Sequence, residues 1–260
     1  MTVEKLSDRE ELRDFLVRDR LANAYLLGNL DPSYFQFCQW YGARNDDGEL
    51  QNLMLVYLGL SLPVVFMSGN GKGLKRFLVE SREVVPGRFH YHVLEEQLEA
   101  LTSVFPTKGA KAMHRMGLRR EDFEGVESDE RVERMGHRDT AAIMELYDHY
   151  PDNFFEPYQL ETGLYFGIRD GGRLVSLAGV HVLSERHDIA VLGNLVTHSA
   201  VRGEGLATAV TGRLIEELFE RVSLLALNVG RDNEPAVRLY KNFGFQENNI
   251  FYEGRWEGGQ

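Results

Sequence analysis

The stretch 189–221 constrains the fold more than any other part of the chain. Residues 189–196 (Ile-Ala-Val-Leu-Gly-Asn-Leu-Val) are mostly aliphatic or β-branched and read as a buried strand. Residues 206–221 repeat apolar side chains at helical spacing (Leu206, Val210, Leu214, Leu218), with Glu216, Glu217 and Glu220 on other faces. Between them lies Thr197-His198-Ser199-Ala200-Val201-Arg202-Gly203-Glu204-Gly205, punctuated by two glycines. A strand that ends in a glycine turn and launches a helix can cradle an anion. The N–H groups of the first helical turn converge there, the helix dipole adds partial positive charge, and glycine admits a phosphate close to the backbone. Taken alone, the same pattern also serves as an ordinary tight connection.

Laid out in order, the chain predicts the same succession of elements twice. In the first half, Ser7-Asp8-Arg9-Glu10 has the spacing of a capping box. A helix with Leu6, Leu12, Phe15 and Leu16 on its apolar face is expected after it and a second over about 20–30, then strands over 35–43, 50–58 and 63–67, a Gly-rich turn (Gly69-Asn70-Gly71-Lys72-Gly73) and a helix over 74–84. A strand over 88–94, a helix over 95–105 and a strand over 111–116 follow. The second half repeats the order: a strand near 132–135, a helix over 139–149, a short helix or loop over 157–162, and strands over 164–169, 174–183 and 189–196. The glycine turn, the helix 206–221, a strand 223–228, a helix 234–243 and a strand 245–256 complete it. The acidic segment 121–130, poor in large apolar residues, is the natural linker. The expected organisation is therefore an α+β protein with mixed sheets in two domains, 1–120 and 131–260, related by duplication.

Composition narrows the function classes. A formal net charge of −11 over 260 residues, with no basic stripe, argues against nucleic-acid binding and is compatible with a cationic substrate. The single Cys38 excludes an intramolecular disulfide and fits a reducing compartment. The apolar segment 53–67 is short and interrupted by Gly59, Ser61 and Pro63, so no membrane association is expected and a cytoplasmic location is. Gly69–Gly73 lacks the Gly-Lys-Ser/Thr ending of an ATP-binding loop. His90 and His92 share a strand face but have no carboxylate or cysteine at ligand spacing, so they read as structural and no metal is expected.

A second motif lifts the first above background. Asn233 sits where a helix N-cap belongs, Pro235 fits a first turn, and Gly244 is placed to end the helix. Ala236 and Tyr240 lie four apart on one helical face, leaving room for a ligand beside an aromatic hydroxyl. Together, Arg202-x-x-Gly205-x-Ala207 and Asn233-x-x-Ala236-x-x-Leu239-Tyr240-x-x-x-Gly244-Phe245 resemble the two cofactor motifs of the GNAT N-acetyltransferase superfamily. The resemblance covers roughly 131–260. The run Gly179-Val180-His181-Val182 through Gly193-Asn194-Leu195-Val196-Thr197-His198 is also similar to the branch related to glycine N-acyltransferases.

The resemblance implies a C-terminal GNAT fold with splayed parallel strands, preceded by a second GNAT-like domain. It implies acetyl-CoA, or another acyl-CoA, as co-substrate. Its pyrophosphate would rest on the backbone of Arg202, Gly203, Glu204, Gly205, Leu206 and Ala207, with Thr208 alongside. Its pantetheine arm would pair like an added strand with Leu195, Val196 and Thr197, and Asn228, Asn233 and Ala236 would border it. Tyr240 would be the general acid for the departing thiolate, and Leu195 N–H an oxyanion donor. A phenol (reference pKa ~10) is a weaker acid than a thiol (~8.5), so placement beside sulfur has to contribute.

The base departs from the family pattern, because the strand 189–195 carries no carboxylate; His181, His198, Glu156 and Glu161 are the titratable candidates. Phe154, Phe155, Glu156, Pro157 and Tyr158 are expected to wall the acceptor side. The first half has neither the Arg-x-x-Gly-x-Ala pattern nor an acid, since Val104-Phe105-Pro106 stands where Leu239-Tyr240 stands in the second. It is expected to be a degenerate copy. The expected activity is transfer of an acetyl group to the primary amine of a small metabolite or amino acid. A silent acyl-CoA-binding module and a protein N-terminal or lysine acetyltransferase are the alternatives, and a homodimer is compatible with the sequence.

Overall fold

The computed structural model describes residues 3–69, 71, 73–107, 109–150 and 155–258. Its elements are β1 (Glu4–Leu6), α1 (Arg9–Leu16), α2 (Ala24–Gly28), α3 (Pro32–Phe35), β2 (Cys38–Arg44), β3 (Leu50–Tyr57), β4 (Val64–Gly69), α4 (Leu74–Glu80), β5 (Arg88–Leu94), α5 (Glu95–Val104) and β6 (Lys111–Arg119). There follow β7 (Glu133–Arg134), α6 (Thr140–Tyr147), a 3-10 segment (Pro157–Thr162), β8 (Phe166–Asp170), β9 (Arg173–Ser184) and β10 (Ile189–Thr197). A 3-10 turn (Ser199–Val201), α7 (Leu206–Phe219), β11 (Leu224–Gly230), α8 (Glu234–Asn242) and β12 (Gln246–Glu257) complete the chain.

The backbone divides into two units. One comprises Met1–Met116, Asn228–Asn233 and Glu247–Gln260; the other comprises Gly117–Leu227 and Glu234–Gln246. In the first unit the strands run β1-β2-β3-β4-β5-β12, antiparallel except for the parallel pair β4–β5. In the second they run β7-β8-β9-β10-β11, antiparallel except for the parallel pair β10–β11. The repeated succession read from the sequence is thus a repeated topology, three antiparallel pairings followed by one parallel pairing.

Local chemistry explains the elements. The Asp8 carboxylate, one residue after Ser7, caps α1 by accepting from Glu10 N and Glu11 N at 2.9 and 3.3 Å, and Leu12, Phe15 and Leu16 bury its apolar face. Strand β5 alternates cleanly, with Phe89, Tyr91 and Val93 buried and the intervening side chains partly exposed. Those three join Val65, Met67, Leu74, Phe77 and Leu101 in one core. In the second unit β9 and β10 are buried on both faces, and Ile143, Leu146, Tyr147, Tyr165, Leu177 and Val196 form the core under α6.

Three boundaries differ from expectation. The helix expected over 20–30 is regular only over Ala24–Gly28. The acidic segment 121–130 is packed on the second unit, where Phe123 meets Phe219 at 5.5 Å and Val126 fills the space beside Gly212 of α7. The last strand, expected to finish the second domain, pairs with β5 over Phe251–Glu257 and so closes the first unit. Among the described residues no helix is long and apolar enough to cross a membrane.

Candidate active site

The second unit is shaped by two irregularities facing each other across the β9–β10 ladder. Val191 pairs with Val182 and Leu192 with Val180, which leaves His181 as an extra residue on β9. Farther along, Gly193 pairs with Gly179 and Val196 with Leu177, so β10 carries an extra residue across Asn194 and Leu195. Asn194 takes a left-handed conformation, φ 56°, which costs an L-residue roughly 1–2 kcal/mol. Its partners offset that cost. The buried Asn194 amide donates to Tyr165 Oη at 2.7 Å and Gln159 Oε1 at 3.2 Å, and its carbonyl accepts from Tyr147 Oη at 2.8 Å. At ~0.5–1.5 kcal/mol net per bond, three bonds outweigh the strain. Burial, with a smaller contribution from Tyr165, holds the Tyr147 phenol well above its ordinary range, so it stays a donor.

Gly193 belongs to the same device. A Cβ there would lie 2.1–2.4 Å from Cε1, Nε2 and Cδ2 of His181, so the imidazole occupies the space a side chain on β10 would fill. The parallel ladder with β11 runs through Ala190↔Leu225, Val191↔Ala226 and Leu192↔Leu227. No later pair with β11 follows among the described residues, although β10 continues to Thr197.

The turn after β10 opens α7. Gly203 and Gly205 are left-handed (φ 86° and 79°), and a Cβ built on either meets nothing within 4 Å among the described residues. Gly205 is the N-cap of α7, a helix of 14 residues, and no side chain caps its first N–H groups, nor does its first turn hold an acidic residue. Arg202, Gly203, Glu204, Gly205 and Thr208 are exposed, Ala207 is half-buried and Leu206 is in the core. The turn is fastened from below: Thr197 O accepts from Tyr150 Oη at 3.0 Å and Arg202 Nε at 3.4 Å, and Thr197 Oγ1 bonds Ser176 Oγ at 2.8 Å. The Arg202 guanidinium lies over the Tyr150 ring at 5.7 Å.

Tyr240 is buried near the end of α8, edge-on to Phe245 at 5.7 Å. Its backbone carbonyl closes the helix by accepting from Phe243 N and Phe245 N, and among the described residues its hydroxyl has no hydrogen-bond partner. Burial pushes this phenol well above its ordinary range, so it is protonated across the neutral and mildly alkaline pH range.

These features coincide with a family match. Residues 129–245 match the model of the Acetyltransferase (GNAT) family. That stretch of the chain belongs to the GNAT family. The fold of nearly the whole chain is that of solved GNAT structures. A GCN5-related N-acetyltransferase from Kribbella flavida superposes with a TM-score of 0.66 at 15% identity, over 93% of this chain and 95% of that one. A tandem GNAT protein from the clavulanic acid biosynthesis pathway, solved without AcCoA, superposes with 0.59 at 14% identity, over 99% and 98%. The N-alpha-acetyltransferase RimI of Mycobacterium tuberculosis is 31% identical over 86 residues, 32% of this chain and 51% of that protein. The chain thus matches about half the length of this curated relative.

Leu195, Val196 and Thr197 on β10, the turn 202–208, and Ala236 and Tyr240 on α8 all lie in the second unit. Asn228 and Asn233 fall in the other unit. The Asn228 side chain is committed there: its Oδ1 accepts from Arg115 Nε at 2.5 Å, and its Nδ2 donates to Glu253 Oε1 at 3.0 Å. On the acceptor side, Phe155 stacks on Tyr147 at 5.6 Å and meets Tyr165 at 5.9 Å; Phe154 lies outside the described residues. Of the titratable candidates, Glu161 is exposed, and His198 Nδ1 accepts from Ala200 N within its own turn. Glu156 N donates to Gln159 Oε1 at 3.0 Å, tying it to the Asn194 network. His181 is the one placed against β10 itself. Sequence reasoning did not single out Gln159, Tyr147, Tyr150 or Tyr165; the signal was Asn194, a polar break in an apolar strand.

In the first unit the corresponding strand β4 pairs with β3 from Val64 to Gly69 without a register shift. The turn leads through a left-handed Gly73 into α4, which has seven residues; Asn70 and Lys72 lie outside the described residues. Phe105 is buried against Phe89 and Trp256 at 5.5 and 5.1 Å.

The carboxylate that spacing alone could not supply to His90 and His92 is also in this unit. Glu253 of β12 stands opposite His92 in the ladder, with Oε1 3.0 Å from His92 Nδ1. Burial opposes ionisation of Glu253, but His92, His90 and the Asn228 amide outweigh it and hold the carboxyl at about 2. Burial, reinforced by His92, pulls His90 down to about 3, so it is neutral at physiological pH. Burial likewise lowers the Arg115 guanidinium to about 10, leaving it charged.

Proposed function

We propose that the second unit is an acyl-CoA-dependent N-acyltransferase that moves an acetyl group directly to a primary amine. The observation that carries this reading is the uncapped N-terminus of α7, opening beside Gly203 and Gly205 at the end of a bulged strand. The open space at both glycines and the absence of an acidic side chain in the first turn fit a diphosphate. The backbone of Leu195, Val196 and Thr197, past the last pair with β11, suits the amides of a pantetheine arm.

Acetyl-CoA supplies the activated acyl group; the side chains handle protons and charge. Tyr240 donates its hydroxyl proton toward the sulfur as negative charge develops there. Burial raises the phenol pKa and would raise that of a thiol in the same site as well, so the mismatch between them is smaller than the phenol's own shift implies. Leu195 lies in the bulge, between the pairs Gly193↔Gly179 and Val196↔Leu177, and its N–H is assigned to stabilise the acyl oxygen. His181, whose imidazole fills the place of a side chain at Gly193, is assigned to take a proton from the substrate ammonium, directly or through water, freeing the neutral amine to attack.

A small amine is the first acceptor to test; on the acceptor side the half-buried Phe155 packs on the core residues Tyr147 and Tyr165. A free protein N-terminus is the second reading, favoured by the likeness to RimI. The test is acetyl-CoA turnover, followed as thiol release, against a panel of amino acids, polyamines and peptides with free α-amines. Release with one class identifies the acceptor. Tight acetyl-CoA binding with no release from any of them would mean a silent binding module.

A further inference from the structure

The cluster His90–His92–Glu253 in the first unit is not used by the acyltransferase reading. The two histidines are two residues apart on β5 and therefore project from one face. Glu253 is the ladder partner of His92, so its side chain rises from the same face of the neighbouring strand. One ligand atom from each residue lies within 4.8 Å of the other two. From this geometry we propose that His90, His92 and Glu253 form a binding site for a late first-row divalent metal ion of the zinc class.

Three observations carry the proposal. First, a Glu–His ion pair needs only one histidine, yet the His90 and His92 rings converge at 4.9 Å on the same carboxylate. Second, the ligands are held by an outer shell of the kind that fixes metal sites. Asn228 Nδ2 donates to Glu253 Oε1, and Arg115 Nε, by donating to Asn228 Oδ1, settles which end of that amide faces the carboxylate. Arg115 is itself locked by the carbonyls of Leu21 and Ala22 and by the faces of Tyr25 and Phe251. Third, the His92 ring is oriented by stacking on Phe66 at 5.0 Å, beside Tyr25.

Two imidazoles and one carboxylate favour zinc-class ions over Mg2+ or Ca2+, which prefer all-oxygen shells. Bonds of ~2.0–2.2 Å put tetrahedral ligand atoms ~3.4 Å apart, so closing on an ion needs side-chain rotation rather than backbone movement. Three protein ligands leave a fourth position for water, and the ion would clip β12 to β5.

The experiment uses the full chain, stripped with chelator and titrated with Co2+, then Zn2+. The expected result is one equivalent of Co2+ bound with visible absorption bands, displaced by Zn2+. His92→Ala and Glu253→Gln should each weaken binding by at least ~10-fold. His149→Ala is the control, because His149 and His198 meet at 5.3 Å and could gather an ion at the surface; it should leave the stoichiometric binding intact. Should either ligand variant fail to fold, the wild-type imidazole 15N signals decide, with two histidines shifting on addition of one equivalent of Zn2+. No stoichiometric uptake, uptake lost in His149→Ala but kept in His92→Ala, or no paired imidazole shift would overturn the proposal.

Discussion

The two glycine turns of this molecule begin alike and end differently. Gly73 and Gly205 are both left-handed N-caps, with φ near 70° and 79°, each following a strand that makes one parallel and one antiparallel pairing. Among the described residues, neither helix has a side-chain cap. Yet β4 runs straight to its glycine turn, whereas β10 is bulged at Asn194 and cross-braced by Tyr147, Tyr165 and Gln159. Helix α4 has seven residues and α7 has 14, so only α7 can present a substantial dipole. A side chain at Gly69 would strike the Gln51 carbonyl at 2.6 Å, but one at Gly71, like one at Gly203 or Gly205, would meet nothing within 4 Å among the described residues. A glycine turn therefore does not by itself make a site. The strand irregularity before it and the helix length after it distinguish the candidate site from its counterpart.

That comparison can be broken most forcefully at the acid. Tyr240→Phe should lower kcat by ~10²–10⁴-fold while leaving the KM for acetyl-CoA within ~3-fold. In the first unit, Phe105→Leu should change only the unfolding midpoint. Equal losses of kcat in both variants would dissolve the asymmetry. Next comes the brace. Asn194→Ala should cost ~2–4 kcal/mol in urea unfolding, because it leaves buried polar partners unpaired and forces alanine to a positive φ; a change below ~1 kcal/mol would show that the bulge needs no support. A smaller effect tests the turns themselves. Gly205→Ala should weaken acetyl-CoA binding by ~10-fold and Gly73→Ala should not alter it, each losing ~1–2 kcal/mol of stability from the left-handed backbone. Calorimetry on the wild type should accordingly give one acetyl-CoA per chain rather than two.

The subtlest check is pH. Deprotonation would remove the Tyr240 donor as pH rises through its folded pKa, and burial displaces that pKa upward. The kcat plateau should therefore extend past the ordinary phenol range of ~10, and an alkaline limb below ~9 would argue against Tyr240 as the acid. His181→Gln should abolish the acid limb of the kcat/KM profile if His181 takes up the proton.

Much of this was legible because local signals and tertiary fate agree. The strand expected over 88–94 is β5, Arg88–Leu94, and the Gly205 turn predicts the start of α7. Two kinds of information were not local. Which strand completes a sheet depends on long-range pairing, and nothing in 245–256 distinguishes a partner in its own half from β5. Contacts of distant residues are equally silent: Glu253 joins His92 across most of the chain, and Tyr147 reaches the Asn194 carbonyl from another element. Asn228 shows the reverse case: the resemblance implied a place beside the cofactor arm, while its side chain is held by Arg115 and Glu253, partners the sequence did not reveal.

The pairing of β12 with β5 has a consequence for biosynthesis. The first unit cannot seat its sixth strand until β12 has left the ribosome, although β1 to β5 emerge long before. At ~5–20 residues per second, the β5 edge waits for many seconds, exposed to pairing with other chains. Nascent chains stalled after β11 should therefore be protease-sensitive in their N-terminal half, reversing the usual order in which the first-made part of a protein is the first to become resistant.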